Sequence, residues 1–278
     1  MGAAALIMLR EGLEASLVVA ILLGYLHKVG QPRSSRYVWL GVAGAVAASL
    51  ALAQLFSRFA GGFEGRAEQL FEGAVMLLAT GVLTSMILWM QGQARHLRGR
   101  LEARVDRALS SGQLLGLASL AFVAVTREGV ESVLFLGAVF FLQPDPTAMA
   151  GALVGLAAAV AIAYAMVRAS LRLNLQKFFF FTGALLVALG AGLLAGGVHE
   201  LQEAAILPVF VEHVWDMSAV LPEQSVPGQL LKALFGYNAD PSLLEVLGWL
   251  AYVGTVGARY FGATRVRPAV SPAPPAAA

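Results

Sequence analysis

The stretch that decides the fold is "REGLEASLVVAILLGYL", residues 10–26, in which an arginine and two glutamates head an otherwise apolar run. A second copy, "REGVESVLFLGAVFFL", fills residues 127–142 and again reads Arg-Glu-Gly-aliphatic-Glu before a long apolar stretch. Two questions follow: what solvent surrounds such runs, and what the charges face.

Composition answers the first. The chain of 278 residues is 58% hydrophobic and 13% charged, with a mean hydropathy of +0.74, too apolar for a soluble domain of this size. It reads as a polytopic membrane protein. A net charge of +2 is too small to argue for nucleic acid. With no cysteine, disulfides, thiolate metal sites and cysteine nucleophiles are excluded. The opening "MGAAALIML" has neither a basic n-region nor a small-residue cleavage site after it, so it reads as mature helix.

A hydrocarbon core of about 30 Å needs about 20 helical residues. Apolar stretches of that length fall at roughly 4–26, 37–57, 68–90, 114–142, 148–168, 177–198 and 242–262. Segment 199–241, with its prolines, glycines and acids, reads as an outer loop with short amphipathic pieces, and 263–278 as a disordered tail. Basic residues set the orientation. With the N-terminus outside, fourteen bases fall inside: Lys28, Arg33, Arg36, Arg95, Arg98, Arg100, Arg104, Arg107, Arg168, Arg172, Lys177, Arg259, Arg265 and Arg267. Only Arg58, Arg66 and Lys232 fall outside, so the bias is strong and requires an odd number of spans.

The remaining bases, Arg10 and Arg127, lie within the first and fourth spans. Each motif heads a group of three spans, and the second group starts after an odd number of crossings, which is the inverted-repeat arrangement. A weaker echo agrees: "FEGAVMLLATGVL" from Phe71 and "FTGALLVALGAGL" from Phe181 share F-x-G-A. The expected fold is an all-α integral membrane protein of seven transmembrane helices. It is one transmembrane domain over 1–262, built of two inverted three-helix repeats (about 4–90 and 114–198) and a seventh helix.

At about 100° per residue, Arg10, Glu11 and Glu14 share an arc of about 100° on their helix, and Arg127, Glu128 and Glu131 repeat it. Near mid-bilayer such charges cost about 2.5–3.5 kcal/mol each, so the two triads must face each other or water, with Gly12 and Gly129 allowing close approach. Interhelical salt bridges alone do not account for them. Buried pairs seldom outperform apolar packing, and two arginines against four glutamates leave a charge of −2. A net-negative, oxygen-only cluster suits a hard cation: Fe3+ brings it to +1 and a divalent ion to 0.

On these residues the chain resembles the oxidase-dependent high-affinity iron permease family, and its layout is most similar to the bacterial EfeU-type branch. The resemblance rests on two R-E-G-x-E copies in inverted spans together with "EQLFE" at 68–72, and extends to "HELQEA", "WDMSAVL" and "GYNADPSLLE" further along. It implies that Glu11, Glu14, Glu128 and Glu131 carry iron during permeation, with Arg10 and Arg127 required beside them. It implies iron as transported substrate and not as resident cofactor, no enzymatic activity, and an extracytoplasmic iron-oxidising or iron-delivering partner of the EfeO/EfeB kind. Val130, where the family usually has Leu, is a conservative departure.

Glu64, Glu68 and Glu72, at i, i+4 and i+8, make one acidic stripe at the outer start of the third span. Helix-dipole complementation explains Glu64 and Glu68 but not the deeper Glu72, so the stripe reads as an outer cation funnel with Glu68 and Glu72 among the metal ligands. In the repeat, Glu72 aligns with Thr182, leaving the inner mouth without the matching acid. His199, Glu200 and Glu203 suit an iron-receiving patch and a solvated helix end equally well, while His213, Trp215 and Asp216 read as loop-folding or interfacial residues. Segment 91–113 reads as a cytoplasmic connection. Two rival classes are a proton-coupled carrier for an organic cation, which would want aromatic residues on the motif faces, and an intramembrane hydrolase, whose catalytic pairs no span contains. Lead or manganese in place of iron stays open, since carboxylates select weakly.

Overall fold

A computed structural model describes residues 1–93, 97–110, 114–168 and 175–265, whose regular structure is helical with no strand among them. The elements are α1 (Gly2–Lys28), α2 (Ser35–Ala60), α3 (Arg66–Gln93), α4 (Leu97–Ser110), α5 (Leu115–Leu142), α6 (Ala148–Arg168), α7 (Leu175–Glu203), α8 (Val226–Phe235), α9 (Leu243–Tyr252) and α10 (Ala258–Arg265). A π turn, Val253–Gly257, joins the last two into one rod. Among the described residues, four stretches are long and apolar enough to cross a membrane: Pro32–Ala60, Arg66–Trp89, Ala148–Met166 and Lys177–Glu203. At 27 and 28 residues, α1 and α5 match them in length and differ in carrying an arginine and two glutamates well inside the helix and not at its end.

Three expected boundaries shift. The sixth apolar stretch, read as ending at 198, continues as α7 to Glu203, so His199, Glu200 and Glu203 ride on its last turns. The connection 91–113 contains a helix, α4, whose Leu101 and Val105 are buried against Leu22, Leu26, Val38 and Leu117. Its arginine-rich composition hides a Leu97/Leu101/Val105 stripe at helical spacing. The Tyr25 hydroxyl donates to the Asp106 carboxylate at 2.8 Å, tying α4 to α1. The seventh stretch runs as α9, π turn and α10 through Arg265, beyond the expected 262; of the expected tail, 266–278 lie outside the described residues.

The most extensive helix contacts pair α1 with α6, α2 with α5 and α3 with α7, and α1 also meets α5. Small residues make the first two pairings possible. A Cβ on Gly12 would lie 2.9 Å from the Ala159 Cβ on α6, and one on Gly129 1.9 Å from the Ser49 hydroxyl on α2. One on Gly41 would come within 2.2 Å of the Ala118 carbonyl oxygen. Backbones this close exchange dispersion contacts over their whole length, the usual substitute for a hydrophobic drive between helices in lipid.

Two apolar cores result. One gathers Ile7, Met76, Leu83, Met86, Phe135, Leu186, Leu189 and Tyr252 from α1, α3, α5, α7 and α9. The other gathers Leu22, Leu26, Val38, Leu101, Val105 and Leu117. Both α1 and α5 run from one core into the other, and each carries its charged triad in the gap between them.

Candidate cation site

The gap brings the triads together. Arg10 and Glu11 are 2% and 1% exposed, Glu128 and Glu131 both 8%. Carboxylate oxygens of Glu11, Glu128 and Glu131 all lie within 4.8 Å of one another. In octahedral coordination at about 2.1 Å, opposite ligands sit about 4 Å apart, so a small contraction of this trio encloses one ion. The trio draws one glutamate from α1 and two from α5, so neither motif alone builds it.

Within the first triad the Arg10 fork spans two carboxylates: Nη1 donates to Glu11 Oε1 at 2.8 Å and Nη2 lies 3.0 Å from Glu14 Oε1. Nη1 also lies 3.0 Å from the Met86 sulfur on α3. Glu14 is thereby drawn to the guanidinium and stands outside the trio, although the motif spacing put all four glutamates on equal terms. In the second triad Arg127 Nε donates to Glu131 Oε1 at 2.9 Å, and its guanidinium carbon lies 5.2 Å from the Trp89 ring centroid. A cleft of about 250 Å³ lined by Val82, Ser85, Met86, Trp89, Arg127 and Glu131 opens beside it.

Electrostatics set what the site can do. Carboxylates held under 5 Å apart at an effective dielectric of about 20 repel by roughly 3–4 kcal/mol per pair. The guanidiniums offset part of this. Even so, the second oxygen of each trio member (Oε2 of Glu11, Glu128 and Glu131) is buried and has no hydrogen-bond donor among the described residues. Buried acceptor atoms on all three members of one carboxylate cluster, each costing free energy while unsatisfied, are what a cation would satisfy.

A second group of acids lies at the far end of α3. Glu68 and Glu72 there face Glu200 across the α3–α7 contact, where Gly73 and Gly197 let the helices touch. Glu64 is exposed ahead of them. Gln69 donates to Glu203 at 2.9 Å, so the acidic stripe and the His199, Glu200, Glu203 patch form one surface. His199 is split between two carboxylates: Nε2 lies 3.2 Å from Glu203 and Nδ1 3.1 Å from Glu245. Thr182, aligned with Glu72 in the repeat, is buried and donates to the Phe178 carbonyl at 3.0 Å.

Three contributors escaped the sequence reading. Glu245, 4% exposed, closes a capping box with Ser242 at the start of α9 and accepts from Asn238 at 2.9 Å, locking loop, α7 and α9 together. Its signal was the S-x-x-E pattern at 242–245. Met86 and Trp89 gave none, being apolar residues in an apolar span. In the outer loop His213 Nδ1 approaches the Asp240 carbonyl at 3.2 Å, and the Ser218 N–H, 2.9 Å from Asp216, holds that carboxyl below its usual range.

Comparison with known proteins places these residues in context. The sequence pattern of the iron permease FTR1 family matches residues 1–267. The ferrous iron permease EfeU of Shigella sonnei is 40% identical over 250 residues, 89% of this chain and 91% of that protein. The ferrous iron permease EfeU of Yersinia pestis is 35% identical over 250 residues, 89% of each. No solved structure matches.

Proposed function

The chain belongs to the iron permease FTR1 family, and from that membership we propose that it carries iron inward across the cytoplasmic membrane through the carboxylates of Glu11, Glu128 and Glu131. The observation that carries this reading is the convergence of the three from two helices, each with one buried oxygen left without a donor.

In this reading the protein has seven spans, α1, α2, α3, α5, α6, α7 and the α9–α10 rod, with the N-terminus outside and the C-terminus inside. The exchanged pairing supports two inverted repeats: α1 lies on the second helix of the other half, and α5 does the same in return. The close contacts correspond as well, Gly12 against Ala159 matching Gly129 against Ser49. Iron gathers at Glu64, Glu68, Glu72, Glu200 and Glu203, whose summed charge concentrates cations at the outer mouth. It then meets the trio, displacing arginine from carboxylate, and leaves on the side where Thr182 offers no acid. Glu14 serves the path by holding Arg10.

The hard, all-oxygen donor set favours Fe3+ as the ion at the trio. That form would be supplied by oxidation of Fe2+ outside, at an extracytoplasmic iron-oxidising or iron-delivering partner. The test is radioiron uptake by cells without other iron importers. Wild-type chain should restore uptake, and Glu11→Gln, Glu128→Gln and Glu131→Gln should each abolish it at normal membrane abundance. Near-normal uptake in any two of them defeats the reading, and stronger competition by manganese or lead than by unlabelled iron reassigns the substrate.

A further inference from the structure

The two motif arginines are equivalent in sequence but not in the molecule. Arg10 is 2% exposed and held at three points, by Glu11, Glu14 and the Met86 sulfur. The Arg127 side chain is 47% exposed; among the described residues it makes the single Nε bond to Glu131 and lies over the face of Trp89. One guanidinium is fixed, and the other stands at the wall of a cleft.

Resting on the reading of the trio as the iron path, we propose that Trp89 is the platform on which Arg127 rests when iron takes Glu131, and that iron leaves through the cleft past these two residues. Arg127 bonds Oε1 of Glu131 while Oε2 has no donor among the described residues, so an ion of the trio that draws on both oxygens competes with that guanidinium for the carboxylate. A released arginine in a low-dielectric gap needs a new partner. The indole face 5.2 Å away is within the range of about 6 Å over which such a ring attracts a cation, and tryptophan is the ring that does so best. The contact is weaker than a charged hydrogen bond, so in the empty protein Arg127 stays on Glu131 and the ring merely flanks it.

The position suits release. Trp89 lies near the far end of α3, seventeen residues or about 25 Å along it from Glu72. With the acids of Glu68 and Glu72 at the outer end, Trp89 marks the inner one. Val82 and Ser85 complete the cleft wall without adding an acid, so nothing there would hold a departing cation. Trp89 is thus a positioning residue: it acts on the ion through Arg127.

The experiment is a binding cycle on the purified full chain in detergent, with radioiron supplied as ferric citrate and read by equilibrium dialysis. Trp89→Leu and Trp89→Gln should each weaken binding about fivefold, because each removes the ring that stabilises the displaced guanidinium, and Trp89→Phe should stay within about twofold of wild type. In an Arg127→Ala background, Trp89→Leu should cause no further change. Equal losses in both backgrounds would make Trp89 a packing residue and overturn the proposal, as would the absence of loss in the wild-type background. If wild type bound no radioiron, or Glu131→Gln bound it as wild type does, the parent reading would fall and this inference with it. Normal wild-type binding lost in Glu131→Gln but untouched by Trp89 substitution would remove this inference alone.

Discussion

Glu14 and Glu131 hold the same place in their motifs and do different work. Glu131 contributes to the trio, whereas Glu14 holds one arm of the Arg10 fork. If the trio carries iron as proposed, neutral glutamine at Glu11, Glu128 or Glu131 removes a ligand charge and should lower uptake by more than about 100-fold. Glu14→Gln acts one step away and should cost about 10-fold, near the lower end for groups that orient ligands. Initial-rate radioiron uptake normalised to protein abundance checks the order. Arg10→Lys keeps the charge but loses the planar fork that reaches Glu11 and Glu14 together, and should be impaired nearly as severely as Arg10→Ala. Arg127 reaches Glu131 through Nε alone, so Arg127→Lys should be impaired less. If both lysine variants transported at the wild-type rate, charge without geometry would suffice. Because iron binds deprotonated carboxylates, protons compete for the same oxygens, and the KM for iron should rise as pH is lowered from about 7 to about 5. A KM flat over that range counts against carboxylate ligation.

For the helices, the decisive contacts are those that admit no side chain. Gly41 meets the Ala118 carbonyl, whereas Gly81 on α3 has open space around it. Alanine at Gly41 must push two backbones apart and should cost roughly 1–3 kcal/mol. Alanine at Gly81 only removes a helix-weakening glycine and should be neutral or stabilising by up to about 1 kcal/mol. Thermal unfolding in detergent compares the two, and equal shifts would deny the close approach of α2 and α5. These elements were unequally legible from sequence. The charged triads stood out because an ion in an apolar run is costly wherever it faces. α4 was missed because four arginines mask a short apolar stripe, and the last turns of α7 because His199 and Glu203 resemble loop residues. Which three of four motif glutamates meet depends on the relative rotation and height of α1 and α5, which no single helix encodes. Met86 and Trp89 reach the site from a third helix and carry no local mark.

Taken whole, the molecule is polarised by charge. Reporter fusions after residues 60, 102, 145 and 220 should read outside, inside, outside and outside; an inside signal at 220 would put Glu200, Glu203 and the 199–241 segment on the wrong face for an outer funnel. Removing three charges of that funnel together, as Glu64→Gln, Glu68→Gln and Glu72→Gln, should slow uptake at low iron more than at saturating iron. The size of this loss should shrink as ionic strength rises, since diffuse attraction is screened within about 8–10 Å at physiological salt. A loss independent of salt would mark these acids as ligands.

The exchanged pairing of α1 with α6 also imposes an order in time. α1 ends at Lys28 and its main partner begins at Ala148, about 120 residues later. At about 5–20 residues per second, the ribosome delivers that partner roughly 6–24 s after α1 has left it. For most of this interval, until α5 follows from residue 115, the first helix holds Arg10, Glu11 and Glu14 beside lipid, water or the insertion machinery, with neither α5 nor α6 to enclose them. A chain stalled before residue 115 therefore presents unsheltered charge at mid-membrane depth, a feature by which surveillance proteases would distinguish unfinished copies from finished ones.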